Sequence, residues 1–266
     1  MKHIRLFTSM QPIKANCTIE INDNDFNYLT KVMRKIIGDE LLIFNGFDGE
    51  WLAKIIQINK KNCQIQTISK SREQYFPPNI ILAFAPVKNA RVDFIAAKAT
   101  ELGIAKFQPI ITNRTIVDKI NLDRFGANIK EAAEQCERLD LPQIVEPVKL
   151  ESFLKIIAQN NQATLILCDE SGNGKKASEV LPQINFSSQQ NLSADPLKNN
   201  SEIIIFIGPE GGFSKEEFTR FDQMENLYKI TLGPRILRAD TAIISAITLV
   251  QEFLGDFNLK PDFIKR

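Results

Sequence analysis

The sequence predicts an α/β protein with two domains: a small β-barrel over residues 1–73, and a larger domain with a mostly parallel sheet over residues 74–266. Three observations predict this fold class. Short β-rich runs separated by turns fill the first 70 residues, which is typical of a small barrel. From residue 80 onwards, apolar runs alternate with helical segments, which favours a parallel sheet covered by helices. Two of the later runs end at turns rich in glycine and proline, where open α/β sheets bind ligands.

The N-terminal domain is predicted from five β-rich runs. They are Ile4–Phe7, Cys17–Ile21, Glu40–Phe44, Trp51–Ile58 and Cys63–Ser69. Residues 25–37 are predicted to form one helix that carries Lys31, Arg34 and Lys35. Up to Phe76 there are eleven Lys/Arg against eight Asp/Glu, a net charge of +3, whereas the rest of the chain has 22 against 24, a net charge of −2. The N-terminal part is therefore the better candidate for binding a polyanion.

The second domain is predicted to begin after a proline-containing linker, residues 74–79. The strands expected next are Ile80–Ala85, Phe107–Ile111 and Leu165–Cys168, and the helices are Val92–Leu102 and Leu122–Leu139. The second helix would place Glu131, Gln135 and Arg138 on one face, which could line a cleft, form a subunit interface or serve structural hydrogen bonds. The polar segment 185–201 has no periodicity and is predicted to be a loosely held loop without function.

The first of the two glycine-rich turns follows a run that is almost wholly β-branched. Ile203–Ile207 suits a strand buried on both faces, and the turn GPEGG stops it at Gly208. Glycines there would let the main chain adopt φ > 0 and approach a ligand closely. Ser214 and Glu217 then form the S-x-x-E pattern of a capping box, which predicts a helix starting at Ser214 with its N–H groups aimed at the turn.

The second turn repeats the first in shorter form. Residues 229–232 predict another strand, Gly233-Pro234 stops it, and a helix is predicted from Asp240. Its apolar stripe is Ile243, Ile244, Ile247, Val250 and Leu254. A single GPEGG is more often an ordinary strand-to-helix turn, but two such strand ends close together in the sequence predict one small-molecule site.

The composition excludes several classes of chemistry. The chain has a single histidine, His3, so histidine-based metal centres, HExxH hydrolases and Ser-His-Asp triads are not expected. The four cysteines are scattered without a CxxC pattern, as in a reduced cytoplasmic protein without a zinc site. The N-terminus has no apolar signal segment and no run is long enough to span a bilayer. We therefore expect a soluble, cytoplasmic protein without a membrane anchor or a metal.

The two turn motifs carry a family resemblance. IGPEGGFSKEE (207–217) followed by LGPRILRADTA (232–242) closely resembles the signature of the small-subunit ribosomal RNA uridine N3-methyltransferases, the RsmE family of the SPOUT class. The resemblance implies a C-terminal domain with a deep trefoil knot, a PUA-like RNA-binding N-terminal barrel and a homodimer. It also implies S-adenosylmethionine as cofactor, and small-subunit (16S) ribosomal RNA, free or in the assembled subunit, as the partner methylated at N3 of a uracil.

Individual site residues are carried over from that resemblance. The catalytic candidates are Arg238, which would favour the uracil anion, and Asp240. The cofactor candidates are Leu167, Ile207, Gly208, Glu210, Gly211, Gly212, Leu232, Gly233, Leu237, Arg238 and Thr241. The RNA-contact candidates are Arg5, Arg34, Lys88 and Arg138. For Arg5 and Arg34, a solvated surface charge is the alternative.

The sequence also departs from the family pattern. The family usually has threonine where Ala239 stands, glutamate where Asp240 stands and histidine where Tyr28 stands. The acceptor of the uracil N3 proton is left open: the proton could pass to Asp240, to Glu210 or to water. Arg238 could instead form an ion pair with Asp240, and Asp240 could instead be the N-cap of the last helix. Two other functions remain open: methylation of a different RNA base, or an inactive RNA-binding ribosome-assembly factor.

Overall fold

The computed structural model describes residues 3–10, 12–87, 89–159, 163–184 and 202–260. The chain divides into two compact units: Met1–Phe76 with Ala133–Leu141, and Pro77–Ala132 with Pro142–Arg266. The predicted loop 185–201 lies outside the described residues. Within the described ranges, none of the helices combines the length and the apolar character needed to cross a bilayer.

The first unit contains one five-stranded sheet. Its strands are β1 (Arg5–Phe7), β2 (Thr18–Asn22), β3 (Glu40–Phe44), β4 (Glu50–Ile58) and β5 (Asn62–Arg72). They are arranged in the order β1-β3-β4-β5-β2, and every pair is antiparallel except β1 with β3. Alternate residues of β2 and β5 face a common apolar core, as the period of a half-buried strand requires. The predicted strands are confirmed, and closure of the sheet into a barrel stays a prediction.

The helix predicted for residues 25–37 is shorter than expected. An α-helix, α1 (Asp23–Asn27), continues as a π-helical turn over Tyr28–Val32 and ends there. Arg34 has φ +51, the left-handed region, which a continuing right-handed helix does not allow. The predicted extension to Ile37 is therefore wrong. The sequence pattern gives no sign that a non-glycine residue adopts this conformation.

A buried ion network lies at the end of β1 and β4. Arg5 Nε donates to Glu50 Oε2 at 2.6 Å, and Arg72 Nη2 donates to the same oxygen at 2.8 Å. The side chains of Arg5 and Glu50 are only 2% and 1% exposed. Burial raises the pKa of Glu50, but the hydrogen bond from Arg72 and the charge of Arg5 outweigh it, so that its pKa is lowered overall.

The same arginines hold the segment 133–141 in the first unit. Arg5 donates to the carbonyl oxygens of Ala133 and Arg138, at 3.1 and 2.7 Å, and Arg72 donates to that of Glu137 at 3.0 Å. These carbonyls lie at the end of a helix, where backbone acceptors have no partner within the helix itself. The network therefore explains why this segment belongs to the first unit.

We expect Glu50→Gln to destabilise the first unit by about 3–5 kcal/mol, because it leaves the buried guanidinium of Arg5 and the partly buried one of Arg72 without their counter-charge. Urea unfolding followed by the fluorescence of Trp51, the chain's one tryptophan, measures this unit directly. Glu73→Gln removes an equivalent charge from an exposed ion pair of the same unit, with Lys70, and should cost at most about 1 kcal/mol. Equal effects of the two substitutions would contradict a structural role for the network.

The stabilisation by Glu50 should also depend on pH. Because the folded pKa is lowered, the contribution is fully present above the ordinary value of 4.5 and is lost as the pH falls through the lower folded value. The difference in unfolding free energy between the natural protein and Glu50→Gln should therefore shrink in acid below about pH 4.5. A difference that stays constant down to pH 3 would contradict the lowered pKa.

The second unit is built on a parallel sheet of eight strands, seven of which form one continuous path. The strands are β6 (Ile80–Phe84), β7 (Lys106–Ile111), β8 (Gln143–Ile144), β9 (Val148–Lys149), β10 (Thr164–Cys168), β11 (Lys175–Lys176), β12 (Ile203–Ile207) and β13 (Leu227–Thr231). The order is β11-β13-β10-β12-β6-β7-β8, and β9 pairs with β7. Every residue of β6 and β12 is buried, as expected for central strands of a parallel sheet. The predicted α/β class is confirmed.

Helices cover this sheet. They are α2 (Asn89–Glu101), α3 (Leu122–Cys136, which runs into the first unit), α4 (Leu150–Ala158), α5 (Ala177–Val180, followed by a 3-10 turn over Leu181–Gln183), α6 (Lys215–Phe221) and α7 (Ala239–Leu254). Sequence analysis missed α4, although Leu150, Phe153, Leu154 and Ile157 follow the i, i+3, i+4, i+7 spacing of a buried helix face.

The helix predicted over residues 122–139 also ends early. It stops at Cys136, and Glu137 has φ +67. Arg138 therefore lies beyond the helix and does not share a helix face with Glu131 and Gln135, so that part of the prediction is wrong.

Candidate functional site

A cavity of about 330 Å³ opens at the carboxyl ends of three neighbouring strands of the second unit. In the sheet, β10 lies between β12 and β13 and pairs parallel with both. Their ends at Cys168, Ile207 and Thr231 therefore meet at one edge, and the segments that follow them, 168–172, 207–212 and 231–242, supply the residues that line the cavity. This is the position at which open α/β sheets bind ligands.

Most of the predicted cofactor residues line this cavity. Those that do are Ile207, Gly208, Glu210, Gly212, Leu232, Gly233 and Leu237. Leu167 is fully buried in the core next to the cavity, and Gly211, Arg238 and Thr241 are exposed residues of the segments that form its walls. The two glycine-rich motifs thus line one cavity, as the sequence analysis predicted.

From the third wall, sequence analysis named only Leu167, on the strand that precedes it. Residues Cys168, Asp169, Glu170 and Gly172 line the cavity because β10 is the middle strand of the three. The run Leu165–Cys168 was predicted as a strand, and the polar residues just after it are the signal that could have been followed. Burial raises the pKa of the Cys168 thiol, with a further contribution from the charge of Glu170, so this thiol stays neutral at the cavity wall.

The glycine-rich turn after β12 is held from both sides. Gly212 has φ +69, and its N–H donates to the carbonyl oxygen of Pro209 at 2.8 Å. Glu170 Oε1 accepts the N–H of Phe213 at 2.8 Å, which ties the turn to the segment after β10. The capping box predicted at Ser214 is confirmed: its hydroxyl accepts the N–H of Glu217, and Glu217 accepts the N–H of Ser214.

Two arginines from other segments contact the same turn. Arg114 Nη1 donates to the carbonyl oxygen of Gly211 at 2.6 Å. Arg91 Nη1 lies 3.1 Å from Glu210 Oε1 and forms an ion pair with it. Asn113, beside Arg114, donates its backbone N–H to Glu217 Oε1 at 2.8 Å, so this loop also holds the first turn of α6. The cavity wall is therefore fixed by charge-assisted hydrogen bonds from outside it.

The two catalytic candidates lie at the start of α7. Arg238 is the N-cap residue, with an extended backbone and an exposed side chain, and Asp240 is in the first helical turn. Asp240 Oδ1 accepts the N–H of Thr241 at 2.9 Å. Since Arg238 is the N-cap, the alternative that Asp240 caps the helix is wrong. Across the described ranges, no ion pair joins Arg238 to Asp240 either, so the guanidinium is not held by that carboxylate.

The four predicted RNA contacts fall in different environments. Arg5 is buried in the ion network described above, which argues against an RNA contact, and Arg138 is paired with Asp140 at 2.8 Å with only 10% of its side chain exposed. The burial of these two arginines results from the tertiary fold and is not visible in the sequence. Arg34 is exposed, and Lys88 lies outside the described residues.

The cavity has a mostly apolar buried wall and an exposed opening that carries charged side chains. Ile207 and Ala239 are buried in its wall, whereas Glu210, Arg235 and Ile236 are exposed around it. Among the residues that the structure describes, no three His, Cys, Asp or Glu side chains come together as metal ligands. The arrangement suits a partly apolar ligand of nucleoside size, held by main-chain groups and a few carboxylates.

Comparisons with known proteins agree with this geometry. The family model "RNA methyltransferase domain" matches residues 74–251, and "RNA methyltransferase PUA domain" matches residues 21–68. The chain is 32% identical over 252 residues to ribosomal RNA small subunit methyltransferase E of Rickettsia conorii, covering 94% of this chain and 96% of that one. It is 33% identical over 246 residues to the protein of the same name from Buchnera aphidicola subsp. Acyrthosiphon pisum, covering 89% and 88%.

A solved structure is similar over the same length. A Legionella pneumophila protein, solved in complex with bound S-adenosylmethionine, matches with a TM-score of 0.78 and 28% identity. The match covers 97% of this chain and 100% of the Legionella chain. The similarity therefore extends through both units of the fold.

Proposed function

Because the chain belongs to the RNA methyltransferase family of ribosomal RNA small subunit methyltransferase E, we propose that its cavity holds S-adenosylmethionine and that Arg238 faces the acceptor base. The chain is an S-adenosylmethionine-dependent methyltransferase of 16S ribosomal RNA. The observation that carries the assignment of the site is the convergence of three strand ends on one cavity within the matched domain.

The cavity fits this cofactor. Its volume of about 330 Å³ lies in the range of small-molecule sites, roughly 300–1,000 Å³. The buried apolar wall at Ile207 and Ala239 suits the adenine ring, and the main chain of Leu232, which lines the same cavity, is in place to hydrogen-bond the edge of the ring. The exposed opening suits the charged methionine end. When bound, the cofactor supplies an electrophilic methyl group on a sulfonium.

The residues of the chain must then align the acceptor and help it lose a proton. The N3–H of uracil is a weak acid, and the ring nitrogen attacks only with its lone pair free. A guanidinium beside the uracil carbonyl favours the anion, and each unit by which the uracil pKa falls corresponds to about 1.4 kcal/mol. Arg238 is exposed at the start of α7 and has no carboxylate partner within the described ranges, so its donors are available for this contact.

The proton itself needs a separate acceptor, since arginine stays protonated at neutral pH. Glu210 is engaged by Arg91 and would have to leave that ion pair. Asp240 lies in the same helical turn as Arg238 and keeps an oxygen beyond the one that accepts from Thr241. We therefore propose Asp240, directly or through water, as the acceptor in place of the glutamate that the family usually has.

The RNA is proposed to contact an exposed surface of the first unit. Residues 28–37 include the exposed cations Lys31 and Arg34 beside exposed apolar side chains, of which Val32 and Ile36 are each 66% exposed. Cations interleaved with apolar groups suit a polyanion with stackable bases. The segment lies inside the match to the RNA methyltransferase PUA domain, which supports the proposal.

Three further properties are proposed from family membership. We expect a homodimer, a deep trefoil knot in the second unit and a location in the cytoplasm, where ribosomal subunits are made. Light scattering on the purified protein measures its oligomeric state, and the mass of a dimer is the expected result.

The contact of Arg114 with the glycine-rich turn gives a testable consequence. We expect Arg114→Ala to weaken S-adenosylmethionine binding by about tenfold, because the turn loses a charge-assisted hydrogen bond worth roughly 1.5 kcal/mol or more. Arg114→Lys, which keeps a charged donor, should recover part of the affinity. Calorimetric titration of both variants measures the effect. If alanine and lysine both bind as the natural protein does, Arg114 does not position the turn.

Transfer of tritium from labelled S-adenosylmethionine tests the function. Small ribosomal subunits and free ribosomal RNA serve as separate substrates, taken from cells that lack this modification. We expect label in the RNA of at least one of them. The inactive assembly factor, which the Ala239 and Asp240 departures favour, would bind subunits without transferring label.

A further inference from the structure

One carboxylate in the cavity wall has an oxygen without a partner. Asp169 follows directly after β10, lines the cavity and is 5% exposed. Its Oδ1 accepts the N–H of Ser171 at 2.7 Å. Its Oδ2 is buried and accepts no hydrogen bond within the described part of the chain. Nothing in the mechanism above uses this group.

The position of Asp169 is fixed by the sheet. Its backbone N–H donates to the carbonyl oxygen of Ile230 in β13 at 2.9 Å, so the residue is anchored at both its main chain and its Oδ1. A buried carboxylate oxygen without a donor costs free energy, because burial removes its hydration and nothing replaces it. An anchored carboxylate at a ligand cavity that keeps such an oxygen is prepared to accept a hydrogen bond from the ligand.

The donor must come from a group held inside the cavity. The adenosyl part of the cofactor offers the two ribose hydroxyls and the 6-amino group of adenine, and the methionine part offers an ammonium. The proposal above assigns the edge of the adenine ring to the main chain at Leu232, which leaves the hydroxyls and the ammonium. An ammonium brings three donors and a charge that needs solvation, which suits the exposed carboxylates at the opening, Glu170 and Glu210. A neutral hydroxyl suits a covered oxygen. Carboxylates after a strand of an α/β sheet bind ribose hydroxyls in nucleotide sites generally.

We propose that Asp169 Oδ2 accepts a hydrogen bond from a ribose hydroxyl of the bound cofactor, and so selects adenosyl ligands with an intact ribose. This inference rests on the proposed function, since it names a contact within the same cavity. Asp169 acts here as a binding and specificity residue and takes no part in methyl transfer.

Calorimetric titration with four ligands tests the inference. The ligands are S-adenosylmethionine, 5′-methylthioadenosine, which keeps the ribose but lacks the amino-acid end, and the 2′- and 3′-deoxy forms of 5′-methylthioadenosine. The variant Asp169→Asn has the same shape, but its amide can accept from only one of Ser171 and the hydroxyl. Asp118→Asn, at an exposed carboxylate, controls for the change of charge.

We expect Asp169→Asn to weaken both S-adenosylmethionine and 5′-methylthioadenosine by about 10- to 100-fold, the range for a hydrogen bond to a charged group. One deoxy form should bind the natural protein weakly, and its affinity should fall little further in Asp169→Asn. Asp118→Asn should bind as the natural protein does. If Asp169→Asn does not fold, titration of the natural protein with the deoxy forms still tests the inference. One deoxy form must then bind the natural protein more weakly than 5′-methylthioadenosine does.

Three results would overturn the inference. Unchanged binding in a folded Asp169→Asn variant would make the residue structural. Weaker binding of S-adenosylmethionine with unchanged 5′-methylthioadenosine would place Asp169 at the ammonium. Equal binding of the deoxy and natural ribose forms would remove the hydroxyl contact. Failure of the natural protein to bind S-adenosylmethionine at all would overturn the proposed function together with this contact, so the two failures are distinguishable.

Discussion

Replacing Arg238 with alanine is expected to lower the rate of methyl transfer by about 10²–10³-fold, the usual loss when one preorganised charge-stabilising group is removed. The affinity for S-adenosylmethionine should change little, because Arg238 is exposed beside the cavity and does not line it. Single-turnover transfer to small subunits measures the rate, and calorimetry measures the affinity for S-adenosylmethionine. The separation of rate from affinity is what distinguishes a catalytic arginine from a structural one.

A matched control excludes a general effect of removing positive charge. Arg220, on α6, pairs with Glu151 and is also exposed. Arg220→Ala should transfer methyl groups at the natural rate. Turnover by Arg238→Ala equal to that of this control would remove Arg238 from the mechanism. If transfer by Arg238→Ala recovers at high pH, where uracil loses its proton unaided, the role in favouring the anion is supported.

Replacing Gly212 with valine is expected to abolish cofactor binding. Gly212 has φ +69, where side chains are strained, and an added Cβ would collide with the carboxylate of Glu170. That carboxylate accepts the N–H of Phe213, so the collision would displace the turn from the segment after β10. Calorimetry should show an affinity for S-adenosylmethionine at least roughly 100-fold weaker, because the displaced turn no longer contacts the cofactor.

The neighbouring glycine provides the control. The sequence pattern treats Gly211 and Gly212 alike, but the structure separates them. An added Cβ at Gly211 would meet only the Arg114 side chain, at 3.5 Å from its Cδ, and Gly211 is not in the positive φ region. Gly211→Ala should therefore bind cofactor nearly normally, whereas Gly212→Ala should not. Normal affinity in a folded Gly212→Val variant would refute the role of this turn.

Local signals in the sequence predicted the parts of the site that depend on local structure. The apolar run before Gly208 and the capping box at Ser214 each specify a strand, a turn or a helix start within a few residues. The rule that ligands bind at the carboxyl ends of parallel strands then predicted one cavity from two motifs. The structure brings both motifs to that cavity.

The remaining features depend on contacts that no local pattern contains. Arg5 looks like a surface cation in the sequence, but it is buried against Glu50 from 45 residues away. Two helices end close to a non-glycine residue with positive φ, Arg34 and Glu137. The carbonyl oxygen of Glu137 accepts a hydrogen bond from Arg72, 65 residues away, which is a contact that no local pattern contains. The contribution of Asp169 follows from strand order, because β10 lies between β12 and β13 only in the folded sheet.

The most direct test of the account is a nucleoside map of the RNA that the protein has modified. Small subunits lacking the modification are incubated with the purified protein and S-adenosylmethionine, and the RNA is digested and analysed by mass spectrometry. The account predicts 3-methyluridine at one site, with far less of it in an Arg238→Ala reaction stopped at the same early time. A methyl group on another base, or RNA without added methyl groups despite bound cofactor, would contradict it.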